Sequence, residues 1–435
     1  MAKTMNKLLS ALAPWNAWDG PSPRTGIPRD ITPSLLPLIE RPEALVLTGI
    51  RRSGKSTIMF QLVEALVAKG VDRTSILYVN FDEPAIEPRR GKALLEEIYQ
   101  AFRERLCPRG RAIVFLDEVQ NVPGWERWVN GRLITENISI VVSGSSAQLM
   151  SREIATLLTG RNLTVRIFPL SFSEYIRFKG VDISTGNRLL LEKQRHVLRH
   201  ELHNFLQWGC FPEVTLEQSD AVRARLLTQY LDDILFKDVV MRHQIRDVRL
   251  LRDMAVYLLT HTACRTTLQS LRKTFGISLD MARAYLTHLQ EPYLIGEVRS
   301  YARSLKAQQV APRKIYAGDL GLRHVAALTF DEDIGRLEET AVFHALEREK
   351  HDLFYFSQQS GEVDFLVCRG LKAQEMIQVT HSDLSEQKIR TRELGPLTAT
   401  GLFPGSVRTL ITDDWPETEI PRPIKNRRLW EWLLN

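Results

Sequence analysis

The run Gly49-Ile-Arg-Arg-Ser-Gly54-Lys55-Ser56 constrains this chain more than any other stretch, because it stands between an apolar run, residues 45–48, and an amphipathic stretch opening at Thr57. Two glycines at this spacing, followed by Lys and a hydroxyl residue, let backbone N–H groups curl around a phosphate at a helix N-terminus, where the helix dipole favours anions. Gly49, Arg52, Ser53, Gly54, Lys55, Ser56 and Thr57 are the expected phosphate-contacting residues. Lys55 is expected to neutralise β/γ oxygens and the Ser56 hydroxyl to reach Mg²⁺.

A second apolar run, residues 112–116, ends in Asp117-Glu118. Asp117 is expected to hold the Mg²⁺ shell and Glu118 to orient and polarise an attacking water, the chemistry of a nucleoside triphosphatase with ATP and Mg²⁺ bound. A third run, residues 138–142, leads to Ser143 and Ser145. These serve either as sensors of a γ-phosphate or as a strand-to-helix cap.

Short β-branched runs alternate with helical periodicity from residue 44 to 168, the pattern of parallel strands buried on both faces, so the fold class is α/β. Residues 1–40 read as a lead-in that braces a nucleotide-binding core over 41–170. Residues 171–245 turn helical and read as a lid or connector, 246–313 as a separate small domain, and 314–435 as a return to mixed α/β. At 44% apolar and 25% charged residues, the 435-residue chain is excluded from the disordered, collagenous and membrane-embedded classes, and no stretch approaches 18 apolar residues. Cys107, Cys210, Cys264 and Cys368 form no CxxC pair, which argues against a disulfide framework and for a reducing, cytoplasmic setting.

The net charge is only +6, but residues 241–314 carry 13 Lys/Arg against 5 Asp/Glu, leaving the rest of the chain net negative. Such concentration marks either a polyanion partner or a solvated basic face. Within it, residues 266–300 read as helix, turn at Phe275-Gly276-Ile277, helix and short strand, the layout of a winged helix-turn-helix. Ser278 and Asp280 offer N-caps, and Met281, Tyr285 and Leu289 form the expected packing stripe. Arg272, Lys273, Arg283, Arg299 and Arg303 are the candidate DNA contacts. His196, His200 and His203, at i, i+4 and i+7, read as a polar helix face rather than a metal site.

The runs LTGIRRSGKST, IVFLDEVQNVPGWERWV and VVSGSSAQLMSREIATLLTGRNLTVRIFPLSFSEYI, with the later YLDDILFKDVVMRHQI and VAPRKIYAGDLGLRHV, resemble a family of AAA-type P-loop ATPases of bacteria and archaea with a carboxy-terminal domain of unknown function. The resemblance spans most of residues 40–390. It implies a homo-oligomeric ATPase, a hexameric ring being one candidate form. Within the same run Arg161 is either a charge that reaches a γ-phosphate, from a neighbouring subunit, or a member of a surface ion pair.

Farther on, Glu339, Asp364 and Gln378-Val-Thr380 follow the order helix, strand, strand, which resembles a PD-(D/E)XK nuclease fold. That resemblance implies a metal site, yet Gln378 and Thr380 replace its last acid and its lysine, so a degenerate domain that binds DNA without cutting is expected. The combined expectation is an ATP-driven, DNA-binding oligomer that remodels branched or structured DNA, by junction remodelling or branch migration. An ATP-dependent nuclease and an ATP-controlled switch acting on a protein partner are the alternatives.

Overall fold

The computed structural model describes residues 8–20, 24–86, 90–145, 160–183, 188–302, 304–327, 334–349, 351–358, 361–370, 372–398 and 403–434. The chain divides into two compact units, Met1–Phe168 and Pro169–Asn435.

The first unit places α1 (Thr32–Ile39), β1 (Ala44–Thr48), α2 (Lys55–Ala68), β2 (Ile76–Asn80), α3 (Lys92–Arg105), β3 (Ala112–Asp117), α4 (Trp125–Thr135), β4 (Ile138–Gly144) and β5 (Asn162–Arg166) in sequence. The strands form one parallel sheet in the order β2-β3-β4-β1-β5. Every residue of β1 to β4 is buried, which is why these strands read as continuous apolar runs rather than alternating ones. Alternate residues serve opposite layers. Leu45, Leu47, Tyr78 and Phe115 pack with α2, whereas Val46, Val79, Val114 and Ile140 pack with α3 and α4. Because all strands run the same way, Gly49, Asp117 and Ser143 arrive at the same sheet edge.

The lead-in braces this core through polar anchors. Asn16 receives the Tyr78 backbone N–H on Oδ1 at 2.7 Å and donates from Nδ2 to the Tyr78 carbonyl at 2.9 Å, capping the open edge of β2. Arg29, buried, donates to the Ser53 carbonyl at 2.9 Å and to the Phe168 carbonyl at 2.9 Å. It thereby ties the phosphate-loop backbone to the segment after β5.

The second unit opens with helices α5 (Phe172–Phe178), α6 (Arg195–Trp208), α7 (Asp220–Asp233) and α8 (Val248–Thr260). It continues with β6 (Cys264–Thr266), α9 (Leu268–Phe275), α10 (Leu279–Gln290), β7 (Ile295–Ser300), β8 (Arg313–Ala317), α11 (Ile334–Arg348), β9 (Asp352–Gln358), β10 (Gly361–Arg369), β11 (Lys372–Thr380), α12 (Gln387–Thr398), β12 (Val407–Thr412), β13 (Lys425–Arg428) and α13 (Leu429–Leu433). Strands β6 to β13 form one mixed sheet in the order β13-β12-β11-β10-β9-β7-β8-β6.

That sheet runs across the expected boundary at 313/314. Strand β7 pairs with β8 on one side and with β9 on the other, through Arg299 opposite Phe354 and Ser300 opposite Tyr355. The strands that follow α9 and α10 and those of β9 to β13 therefore share one backbone ladder. Gly276, at φ 65°, ends α9, and Ser278 caps α10 by accepting the Met281 N–H at 3.1 Å. The packing stripe of α10 is Ala282, Tyr285, Leu286 and Leu289, while Met281, expected inside, is 39% exposed.

Candidate functional site

The phosphate loop is shaped by its glycines. A Cβ built on Gly49, at φ 146°, would lie 2.1 Å from the Ile167 carbonyl oxygen, so only glycine lets β1 turn beside that backbone. Gly54 adopts φ 94° and caps α2, bringing the helix N-terminus to the loop. Lys55 is buried, and its ammonium donates to the Gly49 and Ile50 carbonyls, each at 3.1 Å. The Ser53 hydroxyl is buried with no hydrogen-bond partner among the described residues, an orphaned donor that a phosphate oxygen satisfies. The loop residues fit a bound nucleotide, and Ser56 and Asp117 are the residues that would hold its Mg²⁺.

At the end of β3, Asp117 is 1% exposed and its two carboxylate oxygens have different partners. Oδ1 accepts the Ser143 hydroxyl and Oδ2 accepts the Tyr78 hydroxyl at 2.6 Å. The Ser143 oxygen in turn accepts the Glu118 N–H at 3.1 Å, so one hydroxyl on β4 is wired to both acids. Glu118 takes a left-handed backbone, φ 54°, which is uncommon outside glycine. Burial pushes its carboxyl above the usual range, against the pull of the Lys55 ammonium, with Asp117 adding to the rise. Ser145 is fully buried at the end of β4, Ser56 and Thr57 are half-buried on α2, and Arg52 is exposed.

Arg161 stands apart from these residues. It precedes Asn162, which pairs with Ala44 at the start of β1, so it lies at the opposite sheet edge from Thr48. That edge is about 16 Å from the phosphate loop at roughly 3.3 Å per residue. Its guanidinium donates to Asn130 at 3.2 Å, and it does not reach the phosphate loop of its own chain.

Two residues that sequence reading missed belong to the site. Tyr78 is presented by β2 and meets Asp117 across 39 positions of sequence. Arg29 reaches the loop backbone from the lead-in. Neither carries a motif; the only trace of Tyr78 is an aromatic with a hydroxyl inside an otherwise aliphatic strand, ILYVN.

In the second unit the structure brings together Glu339 of α11 and Asp364 of β10, and it supplies the missing cation from elsewhere. The Lys314 ammonium of β8, 3% exposed, lies 2.9 Å from Glu339, 2.6 Å from Glu362 and 2.8 Å from Asp364, donating hydrogen bonds to Glu339 and Asp364 and pairing by charge with Glu362. Asp364 also accepts the Val379 N–H at 2.9 Å, and Glu339 accepts the Tyr316 hydroxyl at 2.7 Å. Burial, with Asp364 adding, pushes the Glu339 carboxyl up to about 7 against the opposing Lys314. Gln378 accepts the Asp364 backbone N–H on Oε1 at 3.3 Å and donates from Nε2 to Glu393 of α12 at 2.8 Å. The Thr380 hydroxyl accepts the Ser382 N–H at 3.1 Å. Gln378 thus bridges Asp364 and α12, Thr380 serves a local turn, and the cluster's cation comes from a strand upstream.

The candidate DNA contacts Arg272, Lys273, Arg283 and Arg299 are all exposed, on α9, α10 and β7. Arg283 sits 3.7 Å from Asp280, and Arg299 sits 3.0 Å from Glu297. Arg303 lies outside the described residues. His196, His200 and His203 are exposed on α6. His243, His288 and Glu291 bring their ligand atoms within 4.8 Å of one another. However, the two imidazoles stack face to face, 3.7 Å between centroids and 22° between planes, which sets their in-plane lone pairs side by side instead of converging on an ion. Among the described residues, no helix is long and apolar enough to cross a membrane.

Comparison with known proteins adds the family. Residues 41–176 match the AAA domain, and residues 199–333 match a domain of unknown function, DUF8612. The chain is 32% identical over 364 residues to the uncharacterised protein MJ1544 of Methanocaldococcus jannaschii, covering 82% of this chain and 77% of that one. It is 28% identical over 340 residues to an uncharacterised protein of Haemophilus influenzae, covering 77% and 81%. Among solved structures, the Thermotoga maritima RuvB Holliday junction branch migration motor is 14% identical, covering 65% of this chain and 94% of that one, at a TM-score of 0.30, which carries no argument. With an AAA P-loop domain built on a parallel α/β sheet and a relative matched over most of its length, the chain belongs to the family of the M. jannaschii protein MJ1544.

Proposed function

We propose that the protein hydrolyses ATP and binds DNA, acting as a homo-oligomeric motor on branched or structured DNA. The observation that carries the ATPase reading is the meeting of Lys55, Asp117, Glu118 and Ser143 at one edge of one parallel sheet. Lys55 answers the charge of the β/γ-phosphates, and the loop N–H groups hold their oxygens. When bound, Mg²⁺ at Ser56 and Asp117 supplies neutralisation of the phosphoryl charge. Glu118 accepts a proton of the attacking water and aims its oxygen in line, and Ser143 ties the position of both acids to β4. Arg161, remote from its own chain's loop, serves the site of a neighbouring subunit, where an arginine finger contributes roughly 10³ to 10⁵ in rate.

The DNA reading rests on the exposed Arg272, Lys273, Arg283 and Arg299 in the segment that concentrates the chain's positive charge, joined by Arg303. The winged-helix layout of α9, α10, β7 and β8 supports it. The nuclease-like elements hold DNA without cutting, a reading supported by the Lys314 ammonium, which occupies the centre that three carboxylates would offer a metal ion.

Steady-state ATP hydrolysis tests the proposal, with no DNA, linear duplex, single strand and a four-way junction, and with Lys55→Ala as the blank. Stimulation greatest with the junction is the expected result. Hydrolysis indifferent to every DNA would redirect the activity toward a protein partner. Nicking of plasmid DNA with Mg²⁺ or Mn²⁺, lost on Asp364→Ala, would replace the non-cutting reading with that of a nuclease.

A further inference from the structure

The Tyr78 hydroxyl occupies a position that the phosphate-loop motif does not call for. Its ring is 1% exposed and stacks on Phe60 of α2, 4.5 Å between centroids, with Phe115 of β3 at 6.3 Å on the sheet side. Its hydroxyl donates to Asp117 Oδ2 at 2.6 Å. One buried group on β2 therefore holds the side chain of β3 that would hold the metal. Ser143 takes the other oxygen of Asp117, so the carboxylate is fixed at both ends before any ion arrives.

We propose that Tyr78 is a positioning residue of the nucleotide–Mg²⁺ site, holding Asp117 in the arrangement that accepts the ion. The inference rests on the nucleotide reading above and assigns to that site a part from β2. A carboxylate oriented in advance loses little freedom when it takes up the metal shell, and partners of this kind, removed, commonly cost 10- to 100-fold in metal affinity. The stack on Phe60 gives the phenol a fixed origin, since ring and hydroxyl move together.

The test is Tyr78→Phe, which keeps the ring and deletes the hydroxyl, in the full chain. A fluorescent, non-hydrolysable ATP analogue is titrated in EDTA, and then with increasing Mg²⁺ at fixed analogue. The expected result is equal affinity in EDTA for variant and wild type, with the Mg²⁺ midpoint raised about tenfold in the variant. A midpoint that is unchanged or lowered overturns the proposal, the latter marking Tyr78 as a competitor of the ion. Equal weakening with and without Mg²⁺ also overturns it, because a structural role alone acts on both. Failure of the wild-type protein to bind the analogue under any condition sinks the nucleotide reading itself and this inference with it.

Discussion

Buried charge at single residues decides much of what this chain can do. Glu339 illustrates it: burial and Asp364 raise its folded-state carboxyl to about 7, above the ordinary value of 4.5, although Lys314 pulls the other way. Between those values the folded state binds a proton that the unfolded state has released. Its contribution to stability is thus fully present below about pH 4.5 and is lost as pH rises through about 7. The span corresponds to roughly 3 to 4 kcal/mol. Urea unfolding at pH 5, 6, 7 and 8 should show this loss in the wild type and a flatter profile for Glu339→Gln; identical profiles would remove Glu339 as the source. Legibility at this scale followed sequence distance. Lys55, Asp117 and Glu118 stood out because each sits in a short local pattern. Tyr78 and Lys314 did not, because each meets its partner only in the fold, across 39 and 50 positions respectively.

At the scale of elements, the parallel strands were the most readable part, since burial on both faces demands unbroken apolar runs. The helix-turn-helix elements were legible from Gly276 and Ser278, which stop α9 and start α10. What the pattern did not reveal was that β7 and β8 continue into the sheet of β9 to β13, because strand pairing depends on partners more than 50 residues away. The displacement of the α10 stripe toward Ala282 and Leu286 has a related cause: both spacings are helical, and tertiary packing chooses between them. If α9 contributes phosphate contacts, each lost cation removes about one unit from the slope of log affinity against log salt. Arg272→Glu with Lys273→Glu should therefore reduce that slope by about two for duplex DNA, measured by anisotropy across a salt series. An unchanged slope would move the DNA contact off α9.

The whole molecule joins a nucleotide-type α/β unit to a second unit with its own mixed sheet and cores. The first unit gathers Lys55, Asp117, Glu118 and Ser143, the groups proposed for phosphate binding and water activation. The second contains the basic elements and the Lys314 cluster. Motor function requires the nucleotide state of the first unit to matter to what the second holds, and the two acids at the end of β3 are where that requirement begins. The most direct measurement is nucleotide occupancy and turnover in two variants beside the wild type. Lys55→Ala removes the ammonium proposed to answer the phosphates, and it should weaken ATP binding and abolish turnover. Glu118→Gln removes the carboxylate proposed to activate water, and it should abolish turnover while ATP stays bound. ATP retained by Glu118→Gln and lost by Lys55→Ala is the predicted result; equal ATP affinity in the two, or turnover surviving in either, would contradict the account.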